Sequence, residues 1–162
     1  LIALVRHPPV DAAGRCYGRT DLPLADPESA ATLSAQLAGQ GGIIWTSPLQ
    51  RCRAVAEALG PCRPDDRLME LDFGAWEGLP WDDVPREALD AWAADPWAFC
   101  PPGGETGAAL VARIRAFWSD LPMGDHILIS HGGPLKVLAA LATNQPIDLL
   151  APAPAPGSVT RR

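Results

Sequence analysis

Two of the three histidines share one setting. His7 follows Arg6 at the end of the apolar run 1–5, and His131 follows Ser130 at the end of the run 127–129. Each is succeeded by Pro or Gly, a combination that ends a strand. In open α/β sheets, ligands bind outside the carboxyl ends of the strands. A parallel sheet would therefore bring both imidazoles to one crevice. Arg6 stands beside the first histidine. Arg51 falls one turn into a helix expected directly after another strand, so it reaches the same edge. Two guanidinium groups and two imidazoles make a site for an oxyanion, and paired Arg contacts suit a phosphate. Gly132 and Gly133 would add backbone N–H groups at a helix start, where anions are favoured.

The positioning elements follow from the hydrophobic pattern. Leu1 to Val5 reads as a buried strand, and 43–46 (Ile-Ile-Trp-Thr) as a second. Between them, 27–37 has apolar residues at helical spacing (Ala30, Leu33, Leu37). Ser47-Pro48-Leu49-Gln50 has the form of a capping box, with Ser47 as N-cap and Pro48 at the first helical position. Gly60-Pro61 ends that helix. The segment 61–104 mixes four Trp with Pro, Gly and Asp, and it reads as a lid or insertion holding short helices. Its Trp residues read as core or lid packing. From Thr106, the positions Leu110, Val111, Ile114, Phe117 and Trp118 mark an amphipathic helix. A strand at 126–130 and an apolar helix at 135–141 complete the alternation, with His126 expected to be exposed. The tract 151–157 (APAPAPG) is expected to be extended, and 158–160 to form a last strand. This order predicts an α/β fold with a mostly parallel sheet, as a single domain over 1–162.

Composition excludes several classes. Hydrophobic residues are 48% and charged residues 20%, values of a globular chain rather than a disordered one. The net charge of −6 argues against a general nucleic-acid or anionic-membrane binder. Twelve of the thirteen basic residues are Arg, and Lys136 is the only Lys. Cys16, Cys52, Cys62 and Cys100 form no CxxC pair and have no zinc spacing. With no signal-peptide pattern and no long apolar run, the expected setting is the cytoplasm with free thiols. The pairs Asp65-Asp66 and Asp82-Asp83 have no third ligand at a metal-site spacing.

The segments 4–10 (LVRHPPV), 14–24 (GRCYGRTDLPL), 47–59 (SPLQRCRAVAEAL), 68–78 (LMELDFGAWEG), 101–106 (PPGGET) and 127–135 (ILISHGGPL) resemble the histidine phosphatase superfamily. They occur in family order. Their pattern is similar to the phosphoglycerate mutase-like branch, and within it to the small alpha-ribazole phosphatase type. The resemblance implies a three-layer α/β/α sandwich and no metal or organic cofactor. It implies a phosphomonoester hydrolase working through a phosphohistidine on a small phosphorylated metabolite, with alpha-ribazole phosphate as a candidate. His7 would be the nucleophile, Arg6, Arg51 and His131 the phosphate pocket, and Glu70 the proton donor. Tyr17, Gly18 and Gly132 would lie against the substrate. A mutase-like phosphotransferase and a phosphate-binding relative without turnover are the alternatives, and a homodimer is left open.

The chain departs from the family pattern after His7. Pro8-Pro9-Val10 replaces the usual Gly-Glu-Thr, and the Asn that follows in the family is missing. The family's long mutase insertions are missing too, which favours a phosphatase. Glu70 and Glu77 flank one glycine-containing turn, seven residues apart. Either could face the crevice; the resemblance implies Glu70 as the acid, the apolar pair Leu68-Met69 before it agrees, and Glu77 is expected to fix the turn.

Overall fold

The computed structural model describes residues 1–162. Its centre is a five-stranded sheet of order β3-β2-β4-β1-β5. The strands are β1 (Ile2–Arg6), β2 (Ile43–Thr46), β3 (Arg63–Pro64), β4 (His126–Ser130) and β5 (Val159–Arg161). The first four run parallel, and β5 pairs antiparallel with β1. The helices are α1 (Glu28–Leu37), α2 (Gln50–Leu59), α3 (Arg86–Ala94), α4 (Gly107–Ser119) and α5 (Gly132–Ala142).

Alternation along the central strands divides the core into two layers. Ala3, Val5, Ile127 and Ile129 pack with Leu33 and Leu37 of α1 and Val55 of α2. Leu4 and Leu128 face the other way, onto Ile114 and Phe117 of α4 and Leu138 of α5. Both faces of β1 and β4 are covered, which is why their sequences run apolar without a polar alternation. The edges are short: β3 has two residues, one of them Pro64, which cannot extend the ladder. The fold is the expected α/β sandwich. No helix is long and apolar enough to cross a membrane.

Three local expectations are corrected. First, α2 starts at Gln50, with Leu49 and not Ser47 as its N-cap. The Gln50 backbone N–H donates instead to Asp21 Oδ1 at 2.7 Å, so a residue from another loop caps the helix. Second, α5 starts at Gly132, three residues earlier than the apolar run suggests, and takes Gly133 and Pro134 into its first turn. Third, His126 is buried. Its Nε2–H donates to the Pro122 carbonyl at 2.8 Å, and its Nδ1 accepts from Trp45 Nε1 at 3.3 Å. With both ring nitrogens satisfied, the imidazole is stable inside the sheet layer.

Residues 61–104 give β3 to the sheet and Leu68, Leu71, Phe73, Trp76 and Val84 to the core layer of Leu4 and Leu128. They contain short 3-10 turns at Asp66–Leu68, Gly74–Trp76 and Trp81–Asp83, then α3. Gly74 has φ +54°, and a side chain there would collide with the Pro102 carbonyl, so only Gly lets the turn lie against 101–104. Trp76 is buried, whereas α3 contributes Ala88, Leu89 and Trp92 to the core only partly.

Candidate active site

The strand order β2-β4-β1 lines up three residues at adjacent carboxyl ends: Ser47, His131 and His7. Backbone bonds hold the row together, His7 N–H to the Ser130 carbonyl at 3.2 Å and Ser47 N–H to the Ile129 carbonyl at 3.0 Å. The two imidazoles lie with ring centroids 5.2 Å apart, at 61°. A parallel sheet thus produces the histidine pair that the spacing implies.

His7 is buried, and its Nδ1 lies 2.7 Å from the Pro8 carbonyl. A carbonyl only accepts, so Nδ1 carries the hydrogen and Nε2 keeps its lone pair. Burial lowers the His7 pKa from 6.5 to about 4; the Pro8 carbonyl opposes this, and the charges of Arg51 and Arg6 reinforce it. The imidazole is therefore neutral at pH 7 and presents a nucleophilic nitrogen.

Arg51 sits in the first turn of α2 with no exposed surface. It donates through one terminal nitrogen to the Gly18 carbonyl at 2.7 Å and through the other to the Thr20 carbonyl at 2.8 Å. Its Cζ lies 5.0 Å from the centre of the Tyr17 ring. Arg6 is held by the Pro154 carbonyl. Neither guanidinium forms an ion pair. The Nε of each is buried and has no hydrogen-bond partner. Two uncompensated cations with unused donors constitute a deficit of anion, since buried charge is ordinarily paired.

The loop that grips Arg51 is itself fixed by Glu77. That carboxylate accepts from the backbone N–H of Gly18 at 3.0 Å and of Arg19 at 2.7 Å, and from Thr20 Oγ1 at 2.7 Å. Burial tends to raise the Glu77 pKa, but these hydrogen bonds outweigh it and hold the pKa below the ordinary carboxylate value. Glu70 faces the cavity instead. Its Oε1 accepts from Leu71 N–H at 2.8 Å, and its Oε2 from Gly133 N–H at 3.1 Å. Arg19 Nε and an Arg113 terminal nitrogen both donate to the Glu70 backbone carbonyl, at 2.9 and 3.1 Å.

Arg6, His7, Arg51 and Glu70 border one cavity of roughly 430 Å³. Its opposite wall is aromatic, made by Tyr17, Phe73, Trp81 and Trp92. The last two stand edge-on to Phe73, with centroids at 6.0 and 5.9 Å. Of the other expected residues, His131 lies behind the cavity, fully buried, with Nε2 2.8 Å from Ser47 Oγ and 3.5 Å from Cys52 Sγ. Burial, and then the Arg51 charge, hold its pKa well below the ordinary value. Gly18 contributes its carbonyl to Arg51 rather than a face to the cavity. Gly132 borders an adjoining cavity. No three His, Cys, Asp or Glu side chains converge as metal ligands.

Sequence reasoning misses Ser47 as a site residue, although its position at a strand end matches those of His7 and His131. It also misses the carbonyl of Pro8 and the Arg19–Arg113 grip on Glu70, which no local pattern announces.

Comparison with known proteins gives the following. The model of the histidine phosphatase superfamily (branch 1) matches residues 2–161. Glucosyl-3-phosphoglycerate phosphatase of Mycobacterium tuberculosis is 28% identical over 170 residues, covering 90% of this chain and 76% of that protein. The crystal structure of phosphoglycerate mutase from Thermus thermophilus is 34% identical with a TM-score of 0.78, covering 98% of this chain and 90% of that one. The alpha-ribazole phosphatase from Shigella flexneri is alike in fold, with a TM-score of 0.88 at 24% identity over 98% of this chain and 87% of that one. The chain spans about a third of the length of the first curated relatives it matches, at 34% identity over 120 residues.

Proposed function

The chain belongs to the histidine phosphatase superfamily, and from that membership and the site we propose that it hydrolyses a small phosphomonoester through a phosphohistidine at His7, without a metal ion. The observation that carries this reading is the pair of buried, partnerless Nε–H groups of Arg6 and Arg51 beside a neutral His7. A phosphoryl group offers the acceptor oxygens that these donors lack. Their charge supplies what a metal would otherwise provide to the transition state.

In the first step His7 Nε2 attacks phosphorus, the N–P bond forms and the P–O bond to the alcohol breaks. Glu70 in its acid form gives its proton to the leaving oxygen. In the second step Glu70, now a carboxylate, takes a proton from water as its oxygen attacks phosphorus. The N–P bond breaks, and inorganic phosphate and neutral His7 are restored. Splitting hydrolysis in this way replaces one difficult displacement by two easier ones. Arg6 and Arg51 hold the equatorial oxygens, while His131, oriented by Ser47, supports the same pocket from behind. Tyr17 lies against Arg51 and the bound substrate.

The test is a rapid quench with labelled phosphomonoester, followed by peptide mapping. Label is expected on the peptide holding His7, acid-labile and base-stable, and His7→Ala should abolish it. Label on Ser or Asp would overturn the mechanism. Activity should survive exhaustive chelation; loss restored by Mg²⁺ or Zn²⁺ would overturn the metal-free reading. Comparing kcat/KM for alpha-ribazole phosphate with that for other phosphorylated metabolites then addresses the substrate. Transfer of the phosphoryl group to phosphoglycerate rather than water would show a mutase, and binding of phosphate without turnover a non-catalytic relative.

A further inference from the structure

Behind Glu70 lies a second cavity of roughly 210 Å³ that the mechanism above leaves unused. Arg6, Glu70, Phe73 and Trp92 border both cavities, so the two adjoin at the proposed proton donor. The rest of the second wall is largely apolar, including Leu110, Leu149 and Pro96. It carries one further cation, Lys136 on α5, the only Lys in the chain.

Lys136 is half-buried, and its Nζ has a single protein partner, the Leu149 carbonyl at 3.0 Å. It makes no ion pair. Burial lowers its pKa, and the nearby Glu70 and Asp148 carboxylates pull the other way without contacting it. A partly desolvated ammonium with donors to spare, on the wall of a largely apolar cavity, is an unfavourable arrangement. An anionic group on a ligand would offset that cost. An ammonium acts as a compact point charge, suited to one carboxylate, whereas the proposed mechanism already assigns the two guanidinium groups to the phosphate.

We propose that the second cavity holds the alcohol half of the substrate, and that Lys136 selects phosphomonoesters carrying a carboxylate on that half. The proposal rests on the phosphatase reading and deepens it. The phosphate occupies the Arg6–Arg51 end, the scissile oxygen lies at Glu70, and the rest of the alcohol passes Trp92 toward Lys136.

The test uses phosphooxyalkanoates of two to five carbons beside their neutral amides. For the chain length that spans the cavity, the intact protein should favour the acid by about tenfold or more in kcat/KM, as expected for a partly buried charge-assisted contact. Lys136→Met keeps the packing of the stem and should remove the preference while leaving the amides within about twofold; Lys136→Arg should retain it. Equal rates for acid and amide in the unaltered protein would overturn the proposal, and that comparison needs no variant to fold. Equal losses on both series in Lys136→Met would overturn it too. Turnover of p-nitrophenyl phosphate without acid selectivity overturns this inference alone. Failure to turn over any phosphomonoester, with no label on His7, overturns the phosphatase reading with it.

Discussion

Glu70 accepts a hydrogen bond from the backbone N–H of Gly133 at 3.1 Å. A carboxylate from the irregular middle of the chain is thus docked on the first turn of the helix that follows His131. Glu77 is engaged elsewhere, on the loop around Gly18. The two acidic residues of one turn therefore have separate tasks, and substitution can tell them apart.

Glu70→Gln should lose about 10²–10⁴-fold in kcat for substrates with poor leaving groups. The loss should be much smaller for p-nitrophenyl phosphate, whose leaving group needs little protonation. Single-turnover phosphorylation of His7 is the measurement. Equal losses on both substrates would remove Glu70 from the acid role, and a leaving-group-dependent loss in Glu77→Gln would transfer the role there.

Gly133→Ala separates position from chemistry. A Cβ at Gly133 would collide with Glu70 Oε1, the far end of a side chain, and would meet Leu110 at an ordinary van der Waals distance of 3.5 Å. The helix should tolerate Ala, which favours helical backbone by roughly 0.5–1 kcal/mol over Gly. The expected outcome is an unchanged or higher Tm with a kcat deficit confined to poor leaving groups. An unaltered leaving-group dependence would mean that the Glu70–Gly133 contact has no part in placing the proton.

Arg51→Lys keeps the charge and loses the fork that spans the Gly18 and Thr20 carbonyls. Inhibition by inorganic phosphate should weaken by about 10²–10³-fold, the cost of one strong oxyanion donor. Titration of the variant and the unaltered protein with phosphate, read by competition, checks this. An inhibition constant close to the original would place the anion elsewhere.

Acid should destabilise the fold through the buried histidines. In the unfolded chain His7 titrates near 6.5, and in the folded chain near 4. Between these values the unfolded state binds more protons, so the contribution is complete above pH 6.5 and is lost as pH falls toward 4. His131 shifts in the same direction. Between pH 7 and pH 5, the unaltered protein should lose about 2 kcal/mol more stability than His7→Gln. Urea denaturation at the two pH values measures the difference, and parallel losses would show that His7 is not held neutral by the fold.

What is legible in the sequence is what depends on short-range pattern. Apolar runs stop at His7 and His131, and the parallel order of their strands makes neighbours of them. Ser47 misleads for the same reason, because Ser-Pro-Leu-Gln has the local form of a cap. Tertiary partners win there: His131 takes the Ser47 hydroxyl, and Asp21, 29 residues earlier, caps Gln50. His126 reads as exposed because it comes at the start of a strand, but Trp45 and the Pro122 carbonyl enclose it. The turns over 61–104 have no period to read. Their course is set by carboxylates such as Glu77 and Glu105, which bond backbone far away in the chain, and the aromatic wall follows from that course.

The antiparallel pairing of β5 with β1 joins opposite ends of this chain in space. Gly157 N–H donates to the His7 carbonyl at 2.9 Å, so the backbone of the proposed nucleophile is tied down by residues made long after it. A ribosome adding about 5–20 residues per second makes β1 before the other strands and then takes roughly eight to thirty seconds to produce both of its neighbours. Until β4 has been made, the apolar strand has two open edges and no partner in the sheet. The histidine row therefore depends on contacts distant in sequence, and it is expected to form late in folding rather than as its nucleus.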